Sequence, residues 1–254
     1  MKNQYFGDIN DYRKYGLLRS ITEASHLRLI VAWMLTPDDG STDGKFTAYL
    51  DNPKQWAKYD PELFHKLYDI LNNQQQRKVS LIENTELLPT TQYYSEYVPD
   101  PSLERNTWFG SLTEYAERSE LVFLDPDNGI EIKSKPYGRK NSSKFVYWRE
   151  IEALWESGKS LLIYQHFIRE KRFYFIQRML KELQTVTPGS LVEAFSTPHV
   201  VFLMALQQSH QHHHTNIVNT VQNRWVGQIH HWDLIRAQQG APADRSTAAR
   251  FRVG

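Results

Sequence analysis

The stretch from Leu121 to Gly129 constrains the fold of this chain more than any other. It begins with four apolar residues, which predict a strand buried on both faces, as in a parallel sheet. Pro126 and Gly129 then predict a tight turn directly after the strand. Asp125 and Asp127 therefore belong at the carboxyl end of a buried strand, which is the edge of an open α/β sheet where ligands bind. A turn closed by ordinary Asx hydrogen bonds is the alternative interpretation.

Further apolar segments that end in polar turns extend this prediction to a whole sheet. We expect strands near 28–35, 79–83, 121–125 and 160–165, and a final pair within 191–206. The final two strands are separated by a connection too short for a crossover helix, so they should be antiparallel. Helical patterns lie between the other strands. The expected fold is α/β, a Rossmann-like doubly wound, mostly parallel sheet with a C-terminal antiparallel strand pair.

Length and composition bound the organisation of the chain. Its 254 residues suffice for one Rossmann-like domain, which we place at 1–235, with 46–110 as a candidate inserted lobe. Residues 236–254 are expected to form a flexible or surface-lying tail. The absence of cysteine excludes disulfides and a cysteine nucleophile. Because no long apolar run or leader-like segment is evident, we expect a cytoplasmic protein that does not contact membranes, while the oligomeric state is not indicated.

The loop after the first predicted strand is a candidate cofactor site. Its glycines would let the backbone approach an adenosyl or phosphate group closely, but its spacing is not that of a P-loop. Glu83, at the predicted end of the next strand, would accept hydrogen bonds from ribose hydroxyls. A solvated loop and a surface acid are the alternatives. The candidate contacts in the loop are Thr36, Asp38, Gly40, Asp43, Gly44 and Lys45.

The turn after the strand at 121–125 allows two kinds of chemistry. Asp125, Asp127 and Asn128 are candidate catalytic residues that would accept a hydrogen bond from an exocyclic amine. Alternatively, the two acids would hold a divalent cation. Glu131 and Lys133 would then complete a metal-dependent nuclease site. Asp127 stands only four residues before Glu131, which is closer than in nucleases of that type.

Histidines supply further candidates. His166 ends the strand near 160–165 and would act as a general base near neutral pH, while Gln165 would hold the edge of a base or a ribose. A structural role is the alternative for both. A second group follows the last predicted strand; because no acidic partner is evident, we interpret it as a polar loop, with metal binding as the alternative. It consists of His210, His212, His213 and His214. The histidine pair at 230–231 is a weaker candidate for metal binding.

A basic loop follows the turn. Lys133, Arg139 and Lys140 are candidate contacts to the phosphates of RNA or DNA, and aromatic residues among the cations would stack on bases. The formal net charge of +1 argues against a strong overall attraction to nucleic acid but leaves room for such a local patch. A solvated basic face over core aromatic residues is the alternative.

The segment from Phe6 to Leu18 resembles the N-terminal segment of the 23S rRNA adenine-N6 methyltransferase family. In that family a Gly-Asn/Asp stretch leads into a helix that carries a lysine near bound S-adenosylmethionine. The resemblance implies that Asp11 and Lys14 border this cofactor and that the loop at 36–45 also contacts it. It further implies a class I methyltransferase-like fold, whose layout matches the predicted order of strands and helices. The three-Cys-motif partner proteins are a second, similarly distant resemblance.

The turn at 125–128 would stand at the D-P-P-Y position of the methyltransferase family. Asp127 and Asn128 replace the second proline and the aromatic residue that normally stacks on the target base. The resemblance implies an S-adenosylmethionine-dependent methyltransferase-like protein that modifies nucleic acid, in which Asp125 orients the acceptor amine. A nuclease that requires a divalent metal and a non-catalytic partner protein that retains the fold remain as alternatives.

Overall fold

The structure, a computed structural model, describes residues 1–40, 44, 46–73 and 77–234. Seven strands form its central sheet: β1 (Leu29–Ala32), β2 (Gln92–Tyr94), β3 (Leu121–Leu124), β6 (Ser160–His166), β7 (Leu191–Ser196), β8 (Val200–Leu206) and β9 (His230–Asp233). Two short strands, β4 (Gly129–Ile130) and β5 (Phe145–Val146), form a separate parallel pair. The order of the central sheet is β2-β1-β3-β6-β8-β7-β9.

Strand directions confirm the expected fold class. Strands β2, β1, β3 and β6 are parallel neighbours, and β8 runs antiparallel to both β6 and β7. Strand β7 therefore points with the first four, so that five of the seven strands share one direction. The sheet is Rossmann-like and mostly parallel, and its C-terminal pair is antiparallel as expected. Strand β9 adds an antiparallel edge that the sequence did not predict, because its residues show no apolar alternation.

Helices cover both faces of the sheet. They are α1 (Ile9–Ser25), α2 (Pro53–Trp56), α3 (Pro61–Asn73), α4 (Ser80–Glu83), α5 (Ser102–Tyr115), α6 (Trp148–Glu156), α7 (Arg172–Val186) and α8 (His214–Arg224). One apolar core contains side chains of α1, α3 and α8, and the other contains side chains of α5, α6 and α7. Strand β3 contributes alternate residues to each core, which explains why all four of its residues are apolar.

Helix α1 carries polar side chains into the interior. Asp11 and Lys14 are buried although both are charged. Gly16 allows α1 to approach the segment after α8, because a Cβ atom at this position would lie 1.7 Å from the ring of Trp225. Charged groups buried in this way need partners of opposite charge or hydrogen bonds, and these partners form the site described below.

The strand predicted at 79–83 is wrong. This segment contains the short helix α4, and the parallel neighbour of β1 on that side is β2. A short apolar run fits one buried helical turn as well as a strand, and here Ile82 alone among the α4 residues is fully buried. The predicted tail at 236–254 lies outside the described residues. Within the described part of the chain, no helix is long and apolar enough to cross a membrane.

Candidate functional site

A cleft of about 350 Å³ opens at the carboxyl ends of β3 and β6. Strand β1 has β2 on one side and β3 on the other, so the strand order reverses next to β1. The cleft lies beside this topological switch point, where ligands bind in open α/β sheets. Its walls come from the first turn of α1, the turn at 125–128, the end of β6, and Gly44 and Phe46. Volume and position are typical of a site for a small ligand.

Lys14 joins two distant segments in the wall of this cleft. Its Nζ atom lies 2.7 Å from Asp11 Oδ1 and 2.7 Å from Asp125 Oδ2. Burial opposes the charge of Lys14, but the carboxylates of Asp11 and Asp125 outweigh burial and raise the pKa of the ammonium above its ordinary value. Burial raises the pKa of Asp125, while Lys14 opposes this shift. The predicted residues of both motifs therefore form one buried charge cluster.

The first turn of α1 adds Asp8 to the cleft wall. The Asp8 side chain caps the helix by accepting hydrogen bonds from the backbone nitrogens of Asn10, at 2.8 Å, and Asp11, at 2.9 Å. Burial, with the charge of Asp11 adding to it, raises the pKa of Asp8 to about 7. Asp11 in turn accepts hydrogen bonds from the Gly7 backbone nitrogen and the Tyr15 hydroxyl. Asp8 was not a candidate site residue from the sequence.

Asp127 lies opposite α1 between two lysines. Its Oδ2 atom is 3.5 Å from Lys2 Nζ and 3.7 Å from Lys144 Nζ. Its Oδ1 atom is buried and has no hydrogen-bond partner in the described part of the protein, and the same is true of Asn10 Oδ1. Two acceptors in the cleft walls therefore lack donors, which is uncommon for buried polar atoms. The sequence did not predict that either lysine contacts this turn, since Lys2 belongs to a separate segment and Lys144 ends the basic loop.

The loop after β1 folds onto the N-terminal residues. The Thr36 backbone nitrogen donates to the Met1 carbonyl at 2.9 Å, and the Gln4 backbone nitrogen donates to Asp38. Gly40 is exposed, whereas Gly44 lies in the cleft wall. Thr36, Asp38 and Gly40 are thus outside the cleft lining. Asp43 and Lys45 lie outside the described residues.

Glu83 is close to its predicted place although its element is helical. Its Oε1 atom accepts hydrogen bonds from Trp33 Nε1 at 2.7 Å and Ser95 Oγ at 2.6 Å. Trp33 directly follows β1 and Ser95 directly follows β2, so the carboxylate lies at the expected edge of the sheet. These hydrogen bonds hold the Glu83 carboxylate within the protein, and Glu83 does not line the cleft.

Gln165 and His166 have different environments. Gln165 is buried; its Oε1 atom accepts from the Ile130 backbone nitrogen at 2.6 Å, and its Nε2 atom donates to the His166 carbonyl at 2.8 Å. These bonds hold β4 against β6, which is a structural role, and the substrate contact of Gln165 stays a prediction. His166 lines the cleft. Although His166 is exposed at the end of β6, partial desolvation of its ring beside the cleft lowers its pKa and Asp127 opposes that shift, which favours a neutral imidazole at ordinary pH.

The basic loop is exposed, but its aromatic residues are not. Lys133, Arg139 and Lys140 are exposed between β4 and β5. Tyr137 is covered by the Arg149 guanidinium, 3.6 Å from the ring centroid, and Tyr147 is buried. These rings are engaged within the protein, so the predicted stacking on bases is not supported. The loop ends near the cleft, where Lys144 approaches Asp127.

The nuclease alternative finds no support in the geometry. Glu131 Oε1 accepts a hydrogen bond from the Trp148 backbone nitrogen at 2.9 Å, at the start of α6. Over the described ranges, the carboxylates of Asp125, Asp127 and Glu131 do not converge on a common point at which they could share a metal ion. Ligand atoms do converge elsewhere, as described below.

Comparisons with known proteins add little to this geometry. No family model and no curated protein matches the sequence. Among solved structures, the chain is similar to protein LPL1258 from Legionella pneumophila str. Philadelphia 1, described as a DUF519 protein. The identity is 12%, the TM-score is 0.41, and the match covers 89% of this chain and 95% of the other. A likeness at this level carries no argument about function.

Proposed function

We propose that this protein is an S-adenosylmethionine-dependent methyltransferase-like protein whose cofactor and acceptor meet in the cleft. The observation that carries the proposal is the contact of Lys14 with both Asp11 and Asp125, at 2.7 Å each. Lys14 and Asp125 are 111 residues apart in the chain. They belong to the two motifs through which the sequence resembles the adenine-N6 methyltransferases, and a shared site requires these motifs to meet.

The chemistry of the cleft fits the cofactor. S-adenosylmethionine carries a sulfonium, an ammonium and a carboxylate, so that its net charge is positive, and its ribose hydroxyls and adenine amine donate hydrogen bonds. The unpartnered oxygens of Asn10 and Asp127 are acceptors that such groups would satisfy. The cleft is also lined by four carboxyl groups, from Asp8, Asp11, Asp125 and Asp127. These carboxyl groups outnumber the Lys14 and Met1 ammonium groups in the same lining, and an excess of acidic groups favours a cationic ligand over a phosphate.

The bound cofactor would supply an already activated methyl group, so the protein contributes mainly position. Asp127 and Asn10 would hold donor groups of the cofactor, and Lys14 keeps the Asp125 carboxylate at the cleft wall. Asp125 would orient the acceptor amine. His166, whose lowered pKa favours the neutral imidazole, would accept the proton that the amine releases.

Nucleic acid is the acceptor that we propose. Lys133, Arg139 and Lys140 are exposed on a loop that ends beside the cleft, and cations at this position favour a polyanionic substrate. Asn128 is exposed at the position where the resembled family has an aromatic residue. The acceptor base would therefore be held by hydrogen bonds rather than by stacking on this side chain.

Calorimetric titration with S-adenosylmethionine tests the cofactor. We expect binding by the wild type and binding at least about tenfold weaker in Asp127→Ala, since a hydrogen bond to a charged group contributes about 1.5–3 kcal/mol. The exposed acid Asp51, which lies outside the cleft lining, provides the matched control Asp51→Ala, with unchanged affinity. No heat with the wild type at high ligand concentration would reject the cofactor and favour the non-catalytic partner protein.

Transfer of a labelled methyl group to RNA and DNA tests the reaction. Asp125→Asn preserves shape and turn propensity but removes charge, and we expect activity to fall by about 10²-fold or more, the scale of one preorganised electrostatic contact. Circular dichroism establishes that the variant is folded. Full activity in folded Asp125→Asn would refute the assigned role and leave Asp125 as a turn residue.

A further inference from the structure

A cluster of histidine and glutamate side chains lies on the sheet face covered by α1 and α8, and it shares no residue with the cleft. It combines Glu193 of β7, His214 at the start of α8 and His231 of β9. One ligand atom from each of these residues lies within 4.8 Å of the other two. These three elements are brought together by the fold alone, since the residues are widely separated in the sequence.

Glu193 occupies an unusual place for a carboxylate. It is 2% exposed and lies in the middle of β7, between residues that contribute to the apolar core on the α1 and α8 face. Alternation along the strand directs it to the same side as Leu191 and Phe195, and it pairs with Met204 of β8. A carboxylate in apolar surroundings requires a cationic partner, because an isolated buried charge is costly.

The two histidines are placed to meet this requirement together. His214 Nε2 contacts Glu193 Oε1, and His231 Nε2 lies 3.3 Å from the same oxygen. His231 is 5% exposed in its side chain, whereas His214 is 31% exposed. The cluster is therefore closed by the sheet on one side and reached by solvent on the other.

Beyond the contacts at Glu193 Oε1, two further buried atoms, Glu193 Oε2 and His231 Nδ1, have no hydrogen-bond partner among the described residues. Buried polar atoms without partners indicate a missing ligand or water, and here their chemistry is that of metal ligands. Imidazole nitrogen and carboxylate oxygen in a two-to-one ratio form a common three-residue zinc site that leaves one coordination position open.

We propose that Glu193, His214 and His231 bind one zinc ion, which links the edge strand β9 to β7 and α8. The divalent charge balances the buried carboxylate while both imidazoles bind in their neutral form. The more exposed side of His214 leaves the fourth position to water. Magnesium does not suit this site, because it requires oxygen ligands in octahedral geometry. The proposal is independent of the methyltransferase-like function of the cleft.

The sequence offers matched controls within the same histidine groups. His213 precedes His214 and His230 precedes His231, and neither belongs to the cluster. We would strip the full chain with a chelator and titrate Zn²⁺ in competition with a chromogenic chelator. We expect one ion per chain in the wild type, affinity lower by about 10²-fold in His214→Gln and His231→Gln, and little change in His213→Gln and His230→Gln.

Two further measurements separate the site from other modes of binding. Co²⁺ should give a visible absorption band in the wild type that His214→Gln loses, and Zn²⁺ but not Mg²⁺ should raise the unfolding temperature of the wild type. Because His214 is partly exposed at a helix start, its variant should remain folded even if a Glu193→Gln variant does not. Absence of stoichiometric binding in the wild type would overturn the proposal. Equal loss of affinity in His213→Gln would also overturn it, by assigning the metal to the histidine tract.

Discussion

Asp8 provides the sharpest test of the electrostatics of the cleft. It is 6% exposed and caps α1, so two effects act on its charge in opposite directions. The positive end of the helix dipole favours a carboxylate by about 0.3–1 kcal/mol. Burial and the neighbouring charge of Asp11 disfavour it, and they raise the pKa of Asp8 from 3.8 to about 7. Replacement by asparagine keeps the capping acceptor and removes the ionisation.

The magnitude follows from the shift in pKa. A difference between 3.8 and about 7 corresponds to about 4 kcal/mol at about 1.36 kcal/mol per unit. Because the pKa of Asp8 is higher in the folded than in the unfolded state, protonated Asp8 contributes this free energy to folding. The contribution is fully present below pH 3.8 and is lost as the pH rises through about 7. At pH 8 we therefore expect Asp8→Asn to exceed the wild type in free energy of unfolding by about 4 kcal/mol, since the shift already includes the hydrogen bonds at the helix start that favour the charge. Near pH 4 the two should differ by less than about 1 kcal/mol.

Urea unfolding of both proteins from pH 4 to pH 8 measures this difference. Asp51→Asn, at an exposed acid outside the cleft, is the matched control and should follow the wild-type profile at every pH. A variant of Asp8 that is less stable than the wild type at pH 8 would refute the reasoning, since the cap charge would then outweigh its burial. A difference that does not change with pH would refute it equally.

Two stability predictions concern the remainder of the fold. Arg105→Leu should lower the free energy of unfolding by about 3–5 kcal/mol in urea titration, because Glu150, 2.8 Å from Arg105 Nε, is left buried without its cation; a loss below about 1 kcal/mol would contradict this. Gly129→Ala should cost about 1–3 kcal/mol in thermal unfolding, since Gly129 has φ of +108° and a Cβ atom there would lie 2.4 Å from Gln165 Oε1. Gly110→Ala, in an open position of α5, should instead stabilise by about 0.5–1 kcal/mol, and equal effects of the two changes would refute the steric explanation.

The buried strands were predictable because their residues must be apolar on both sides. Strands β3 and β6 follow uninterrupted apolar runs, and the turn after β3 lies at the expected edge. Strand β2 was missed because it lies at the end of the sheet, is only partly buried and contains glutamine and two tyrosines. Fewer side chains of an edge strand are buried, so fewer of its residues need to be apolar. The periodicity of apolar residues therefore predicts such a strand less well.

The candidate site was predictable in part. The strand-and-turn pattern led to Asp125 and the resemblance led to Asp11 and Lys14, and the structure brings these residues into contact. The partners of Asp127 were not predictable, because Lys2 and Lys144 reach it only through the folding of separate loops. The local sequence predicts which side chains lie at the end of a strand or helix. It does not predict which distant segments of the chain contact them.

The same limit explains the histidine cluster. The tract at 210–214 has no acid near it in the sequence, and its partner Glu193 lies inside a strand whose other buried residues are mostly apolar. Only the pairing of β9 with β7 brings His231 to this carboxylate. An acid in the middle of a buried strand was the available signal, since such a residue is rarely retained without a partner.

Retention of buried charge in α1 argues for a role beyond stability. Replacing a buried ion pair by well-packed apolar residues is often neutral or stabilising by about 1–4 kcal/mol, so folding alone does not require Lys14 between Asp11 and Asp125. The three side chains line a cleft at the switch point of the sheet, where ligands bind in this class of fold. An apolar replacement would remove both the charge that positions Asp125 and the acidic character of the cleft wall. The arrangement is therefore better explained by the proposed ligand than by a contribution to stability.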